Sequence, residues 1–304
     1  MARRLSVVVS DSAQARLQQA AQFLRGCPEG ALVLAFSRGA GEELVRRLAL
    51  ERGATFAYLC TTLNRLAGEV ATSALQSLKV VPAGGLGAEA VAARVAYETR
   101  FELSWFEPVA DRPGFPAALA ATLAELRGAG LGPQHLRSLP PPGPDLARLL
   151  QRYQDYLEAA RLADRARLFG LAARLYQASR PVLLLDVPLW ERCEVELVEA
   201  LLRQAPQAMA TVPRGDGETL AALRHLGGVE VAVDEPDQGS LARLRRGLFA
   251  APRPGPEDGQ VELFSAPGEA RECVEVARRL LDAARGGLPF DEMAVLVHSP
   301  EIYG

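Results

Sequence analysis

The chain has 304 residues, 49% hydrophobic and 23% charged, with a formal net charge of -3. That balance fits a globular protein with a sizeable core and excludes a uniformly basic nucleic-acid coat, though not a local basic groove. At about 100–200 residues per domain, two domains are expected.

In chain order, residues 5–10 (LSVVVS) form a short apolar run ending in turn residues and predict a buried strand. Residues 13–25 place Ala13, Leu17, Ala20, Ala21 and Leu24 at helical spacing, with Asp11 or Ser12 as the N-cap. Residues 31–36 (ALVLAF) predict a second buried strand, and SRGAGEELVRRLALERG a loop and helix closed by Gly53. TFAYLC is a third short strand, and TTLNRLAGEVATSAL starts the next helix. Strands alternating with helices predict a parallel α/β sheet, whose ligands sit beyond the carboxyl ends of the strands. The loops at 10–12, 37–41 and 60–62 then line one common edge.

From VVPAGGLG onward the pattern turns helical, without strand runs, through residues 87–178, and LPPPGP at 139–144 interrupts it. A helical insertion is expected there. The α/β pattern resumes with strand RPVLLLDVP (180–188), helix ERCEVELVEALLRQAP (191–206), strand AMATVP (208–213) and a further strand in GVEVAVDE (228–235). The Pro- and Gly-rich stretch at 249–260 reads as a linker. Beyond it, strand VELFSAP, helix GEARECVEVARRLLDAARGG and strand FDEMAVLVHS predict the start of a second α/β domain in a longer protein. The expected domains are 1–86 with 179–248, the insertion 87–178, the linker 249–260 and the partial domain 261–304.

All but one of the 34 basic residues are arginines, the exception being Lys79. Cys27, Cys60, Cys193 and Cys273 form no C-x-x-C pair, so buried reduced thiols are expected rather than a metal site. The apolar run in MARRLSVVVS is too short for a signal peptide, and no stretch approaches the roughly 18 apolar residues of a membrane span. A cytoplasmic protein with no membrane partner is expected.

The strand–turn–helix at residues 5–25 has the layout of a phosphate-binding loop, G-x-x-x-x-G-K-S/T. Aligned on it, Ser10 and Ala15 stand at the glycine positions, Arg16 at the lysine and Leu17 at the Mg²⁺-binding hydroxyl, with Asp11 and Ser12 inside the turn. Arginine fits the tight lysine slot poorly, and leucine cannot ligate Mg²⁺. The expectation is a phosphate-loop-shaped turn with Leu17 filling the Mg²⁺ space. Weak phosphate or sulfate binding, or vestigial ATP binding, is compatible with a helix N-terminus, but no cofactor and no hydrolysis are expected. PVLLLDVP resembles the strand that supplies the Mg²⁺-associated acid and the catalytic glutamate of phosphate-loop ATPases. Asp186 keeps the acid, and Val187 replaces the glutamate. Taken singly, these residues also fit an ordinary strand–helix turn and a polar strand end.

In order, LSVVVSDSAQARLQQAAQFL, ALVLAFSRGAGEELVRRL, CTTLNRLAGEV, PVLLLDVPLWERCEVELVEALL and the tail from VELFSAP to HSPEIY resemble superfamily 1 helicases of the UvrD type. They most resemble the N-terminal helicase-like region of AddB-type, inactivated helicase–nuclease proteins. The resemblance implies a RecA-like domain with a helical insertion. It places DNA-backbone contacts at Ser37, Arg38, Thr61, Thr62 and Arg65. It puts His298 where active helicases carry a γ-phosphate-sensing arginine, and finds no glutamine in AMATVPRGDGETL for the third motif. Helix capping is the plainer alternative for Thr61 and Thr62, and a solvated surface for Arg38 and Arg65. His135, His225 and His298 lack ligand partners at metal spacing, and no metal site is expected. Tyr97, Phe101, Trp105 and Phe106 are expected in the core rather than stacked on bases, and Arg243, Arg245 and Arg246 on a solvated helix face.

The resemblance implies a catalytically inactive helicase-like module of a bacterial DNA helicase–nuclease that processes double-strand break ends in recombinational repair. The module would guide DNA and scaffold a helicase motor subunit. The full-length parent would be an ATP-dependent helicase/nuclease subunit with a RecB-like nuclease further on. The alternative is an α/β protein–protein interaction module with no nucleic-acid role. A small-molecule nucleotide-binding enzyme finds no G-x-G-x-x-G to support it.

Overall fold

A computed structural model of the chain describes residues 5–233, 239–248 and 254–303. Residues 249–253 of the expected linker, and Asp234 and Glu235 of the expected strand GVEVAVDE, lie outside these. The chain divides into two compact units, Met1–Pro236 and Asp237–Gly304.

The first unit opens with β1 (Leu5–Ser10), α1 (Ala13–Arg25), β2 (Leu32–Ala35), α2 (Arg38–Arg52), β3 (Leu59–Thr61) and α3 (Leu63–Leu78). There follow β4 (Val81–Pro82), α4 (Gly85–Thr99), α5 (Phe115–Gly128), α6 (Pro133–Leu136), α7 (Gly143–Ala159), β5 (Leu162–Ala163) and α8 (Arg165–Leu175). It closes with β6 (Val182–Leu185), α9 (Arg192–Gln204), β7 (Ala208–Pro213), α10 (Gly217–His225) and β8 (Gly228–Val231).

Six strands pair in the order β3-β2-β6-β7-β1-β8, every pairing parallel. This is the expected α/β sheet, an architecture consistent with a RecA-like domain. Strands buried on both faces need apolar residues at every position, which is why VLLL and LVLA carry no alternation. Val33, Leu183 and Leu185 pack with Leu24, Leu44 and Leu48 of α1 and α2 on one face. Leu32, Leu34 and Leu184 pack with Leu66, Phe169 and Leu197 of α3, α8 and α9 on the other.

Between β4 and β5, which pair with each other, α4 to α7 build a core of their own around Leu123, Leu149, Leu150 and Tyr153. This two-residue ladder is a strand pair that no apolar run announces. The helical pattern assigns α8 to the insertion, yet its Phe169 and Ala172 join the sheet core. The aromatic expectation is corrected: Tyr97, Phe101 and Trp105 are 66%, 84% and 59% exposed. Only Phe106 packs inward, its ring 5.6 Å from that of Phe115. The reason is Asp145, a buried carboxylate that accepts the backbone N–H groups of Ser104, Trp105 and Phe106 at 2.9, 2.7 and 3.2 Å. It holds that segment as a turn, so the spacing 97, 101, 105 never becomes one helix face.

In the second unit, α11 (Ser240–Gly247), which the sequence groups with the sheet, instead has its Ser240 N–H donating to Asp258 at 2.7 Å. Helix α12 (Glu269–Arg285) forms as expected, followed by α13 (Pro300–Tyr303). The strands expected at VELFSAP and FDEMAVLVHS do not form; the latter carries a short 3₁₀ turn, Phe290–Glu292, and no ladder. Leu263 and Leu296 are 97% and 90% exposed. A strand exists through its neighbours' hydrogen bonds, and no paired neighbour stands beside these runs among the described residues.

Cys27 and Cys193 are buried, Cys60 partly so, and Cys273 exposed. Burial, and secondarily a hydrogen bond donated to Glu191, push the Cys193 thiol up to about 12. Since the unfolded thiol titrates near 8.5, the native chain keeps a proton that the unfolded chain loses, and stability is expected to fall between about pH 9 and 12. At pH 8 a disulfide reagent should label Cys273 rapidly and Cys193 only on unfolding. Fast labelling of Cys193 in the native chain would contradict this packing.

Candidate functional site

Because all six strands run the same way, their carboxyl ends meet at one edge. That edge carries the turn after β1, the starts of α2 and α3, and Asp186 at the end of β6.

The turn after β1 is short. Only Asp11 and Ser12 separate strand from helix. Ser12 N–H donates to Ser10 Oγ at 2.9 Å, and Ser12 Oγ accepts Ala15 N–H as the N-cap of α1. No residue of the turn has positive φ. A wrapped phosphate loop is therefore absent, which corrects the expected phosphate-loop-shaped turn: without glycines, the chain takes the shortest capped route into the helix. Asp11 pairs outward with Arg214, Nε to Oδ2 3.0 Å.

Arg16 and Asp186, 170 residues apart in sequence, meet here. Arg16 Nε lies 2.9 and 3.1 Å from the two carboxylate oxygens, Nη2 lies 3.0 Å from Oδ2, and Nη1 donates to the Ser10 carbonyl at 2.6 Å. The Arg16 side chain is only 9% exposed, and that of Asp186 32%. Strand β7 lies between β1 and β6, and its buried Thr211 completes the bridge. Thr211 Oγ1 donates to Asp186 Oδ1 at 2.7 Å and accepts Asp186 N–H at 3.0 Å. Asp186 itself sits at φ 47°, a left-handed conformation that aspartate tolerates better than most residues.

Arg16, which the sequence aligns with a phosphate-loop lysine, thus turns back onto the strand ends and pairs with Asp186. Leu17 does not fill that space. It packs toward α2 and lines, with Phe36, Ala21, Leu44 and Leu48, a groove of about 500 Å³ that opens beside Asp186. Val187, at the position of the catalytic glutamate, is buried in the sheet core. His298 lies in the second unit, exposed, with Nδ1 3.2 Å from Ser299 Oγ.

The residues aligned with DNA-backbone positions divide. Ser37 and Thr62 are the N-caps of α2 and α3, accepting the N–H groups of Ala40 and Arg65. Arg38 and Arg65 are exposed and pair one helical turn along, with Glu42 at 2.6 Å and Glu69 at 2.8 Å. Thr61 is 2% exposed, and its hydroxyl finds no hydrogen-bond partner among the described residues. The sequence points to these five as one set, but not to the Thr211 bridge, whose only sign is a lone threonine in an apolar run. Among the described residues, no group of three or more His, Cys, Asp or Glu could hold a metal ion. No helix there is long and apolar enough to cross a membrane.

Fold and edge together describe an α/β, RecA-like domain whose strand-end turn is closed by its own ion pair. No protein-family model matches the chain. A curated relative from Symbiobacterium thermophilum, the B-type subunit of an ATP-dependent helicase/deoxyribonuclease, is 27% identical over 298 residues, covering 80% of this chain and 25% of that protein. The chain is similar to an AddB-type protein, as its ordered motifs indicate, and spans about a quarter of that relative's length.

A double-mutant cycle on Arg16→Ala and Asp186→Asn should give a coupling energy of about 1–3 kcal/mol by denaturant unfolding. The single Arg16→Ala variant should lose most of that by leaving a half-buried carboxylate unpaired. A coupling indistinguishable from zero would show that the pair does not hold the turn.

Proposed function

We propose that this chain is a helicase-like module without nucleotide chemistry that guides DNA within a bacterial helicase–nuclease acting on double-strand break ends. The observation that carries this reading is the Arg16 guanidinium bound at once to both Asp186 oxygens and to the Ser10 carbonyl. Phosphoryl transfer requires a cation free to meet the phosphates, an acid free to hold Mg²⁺, and a group that orients water. Here the first two neutralise each other, and Val187 leaves no base beside Asp186. The relative, named for a helicase and a deoxyribonuclease, supports a role in DNA processing. ATP-driven motion and strand cutting then belong to the remainder of the parent protein or to a motor partner, and cytoplasmic residence follows.

DNA contact falls to the same sheet edge. Exposed pairs such as Arg38–Glu42 and Arg65–Glu69 are worth only about 0.3–0.5 kcal/mol, so their guanidiniums can exchange a glutamate for a DNA phosphate. A second reading, a protein–protein interaction module, is favoured by one observation. Tyr97, Phe101 and Trp105 are exposed, and Arg100 lies 3.9 and 4.2 Å over the Tyr97 and Phe101 rings. Aromatic and arginine residues dominate binding hot spots.

Fluorescence anisotropy with single-stranded and tailed DNA should show binding that weakens steeply with salt. Arg38→Ala with Arg65→Ala should lower the salt slope by about two. The chain should show no DNA-stimulated ATP hydrolysis. Robust stimulated hydrolysis would overturn the inactive reading, and no DNA binding at low salt would favour the interaction module.

A further inference from the structure

A second cavity, of about 510 Å³, lies between the turn after α5, the middle of α7, and α8. Its charged lining is entirely arginine: Arg127, Arg167 and Arg174, with Gln134 and Gln154 as further donors and no carboxylate. Many arginines elsewhere on this chain are paired one helical turn along, as at Arg38–Glu42, Arg94–Glu98 and Arg192–Glu196. Here they are not. Arg174 makes no hydrogen bond or ion pair among the described residues, and Arg167 reaches only the Leu162 carbonyl, at 3.4 Å. Arg127 gives Nε and Nη2 to Asp164, which leaves its Nη1 unused.

Arg167 and Arg174 are seven residues apart on α8, and so on one face, with Gly170 between them. A helix-interior glycine costs stability relative to alanine. A Cβ at Gly170 would meet nothing within 4 Å, so packing does not require a glycine there. Its absent side chain keeps the space between the two guanidiniums open. The amides of the neighbouring turn are already committed: Gly130 to Arg127, Leu131 to Leu126, and Gly132 to His135. Recognition therefore falls to the side chains.

The geometry points to an oxyanion site that takes a phosphate group, either free phosphate or a phosphate of a polynucleotide backbone. Guanidinium forks match the tetrahedral oxygens of phosphate, and two unpaired cations without a carboxylate leave a local charge to be neutralised. At about 510 Å³ the cavity has room for a phosphate group and the organic part of its ester. This site is separate from the sheet-edge residues and does not depend on their assignment.

The test titrates the full chain with inorganic phosphate by calorimetry and, separately, with a labelled single-stranded oligonucleotide by anisotropy. Arg167→Ala with Arg174→Ala should weaken binding by about tenfold or more. Gly170→Leu, which fills the cavity without removing charge, should do the same while circular dichroism and melting temperature stay native. Loss of both ligands in these variants assigns the site to a polynucleotide backbone, and loss of inorganic phosphate alone to a free phosphate. No saturable binding of either probe by the wild-type chain, or binding unchanged in the variants, overturns the proposal.

Discussion

The ion pair between Arg16 and Asp186 is the constraint on which the sheet edge depends. A guanidinium that is nine-tenths buried is unfavourable unless its donors are met. Here Ser10 and Asp186 meet three of its nitrogens, and Thr211 orients the carboxylate from the intervening strand. The bridge ties the first turn of α1 to the end of β6 across β7. It also explains the local backbone. Ser10 must end β1 with its carbonyl toward Arg16, and Asp186 must turn left-handed to present both oxygens. A longer, glycine-rich loop would move Arg16 away from both partners.

Positive charge on this molecule stands in three settings. Arginines at the sheet edge and along the exposed helices are balanced by glutamates one turn away, weakly and reversibly. Arg16 is balanced permanently by burial and geometry. Arg167 and Arg174 have no acidic partner among the described residues, and no carboxylate lines the cavity beside them. With arginine supplying nearly all the basic charge, these three settings, rather than the net charge of -3, determine where an anion can approach.

Much of the fold is legible in the sequence because it is local. LSVVVS and AMATVP coincide with β1 and β7, and Ser12, Ser37, Thr62 and Gly53 cap the helices as their types suggest. What is not legible is non-local. The runs VELFSAP and MAVLVHS read as strands on composition, but a strand needs a neighbour that composition does not reveal. The stripe of Tyr97, Phe101 and Trp105 reads as core, yet Asp145, some 40 residues on, gathers three amides and turns the chain outward. The absence of a phosphate loop's glycines and lysine is plain in the sequence. The two-residue turn that stands there, and the partner that Arg16 finds 170 residues away, are not.

At the edge where a RecA-like domain would hold a nucleotide, the protein's own Arg16–Asp186 pair stands in the way. A thermal-shift titration with ATP and Mg²⁺ reads out whether that pair excludes a nucleotide. A ligand a hundredfold above its dissociation constant adds about 2.7 kcal/mol, and so a melting shift of several degrees. The melting temperature should stay unchanged within about 1 °C up to millimolar ATP. A large stabilisation at micromolar ATP would contradict it.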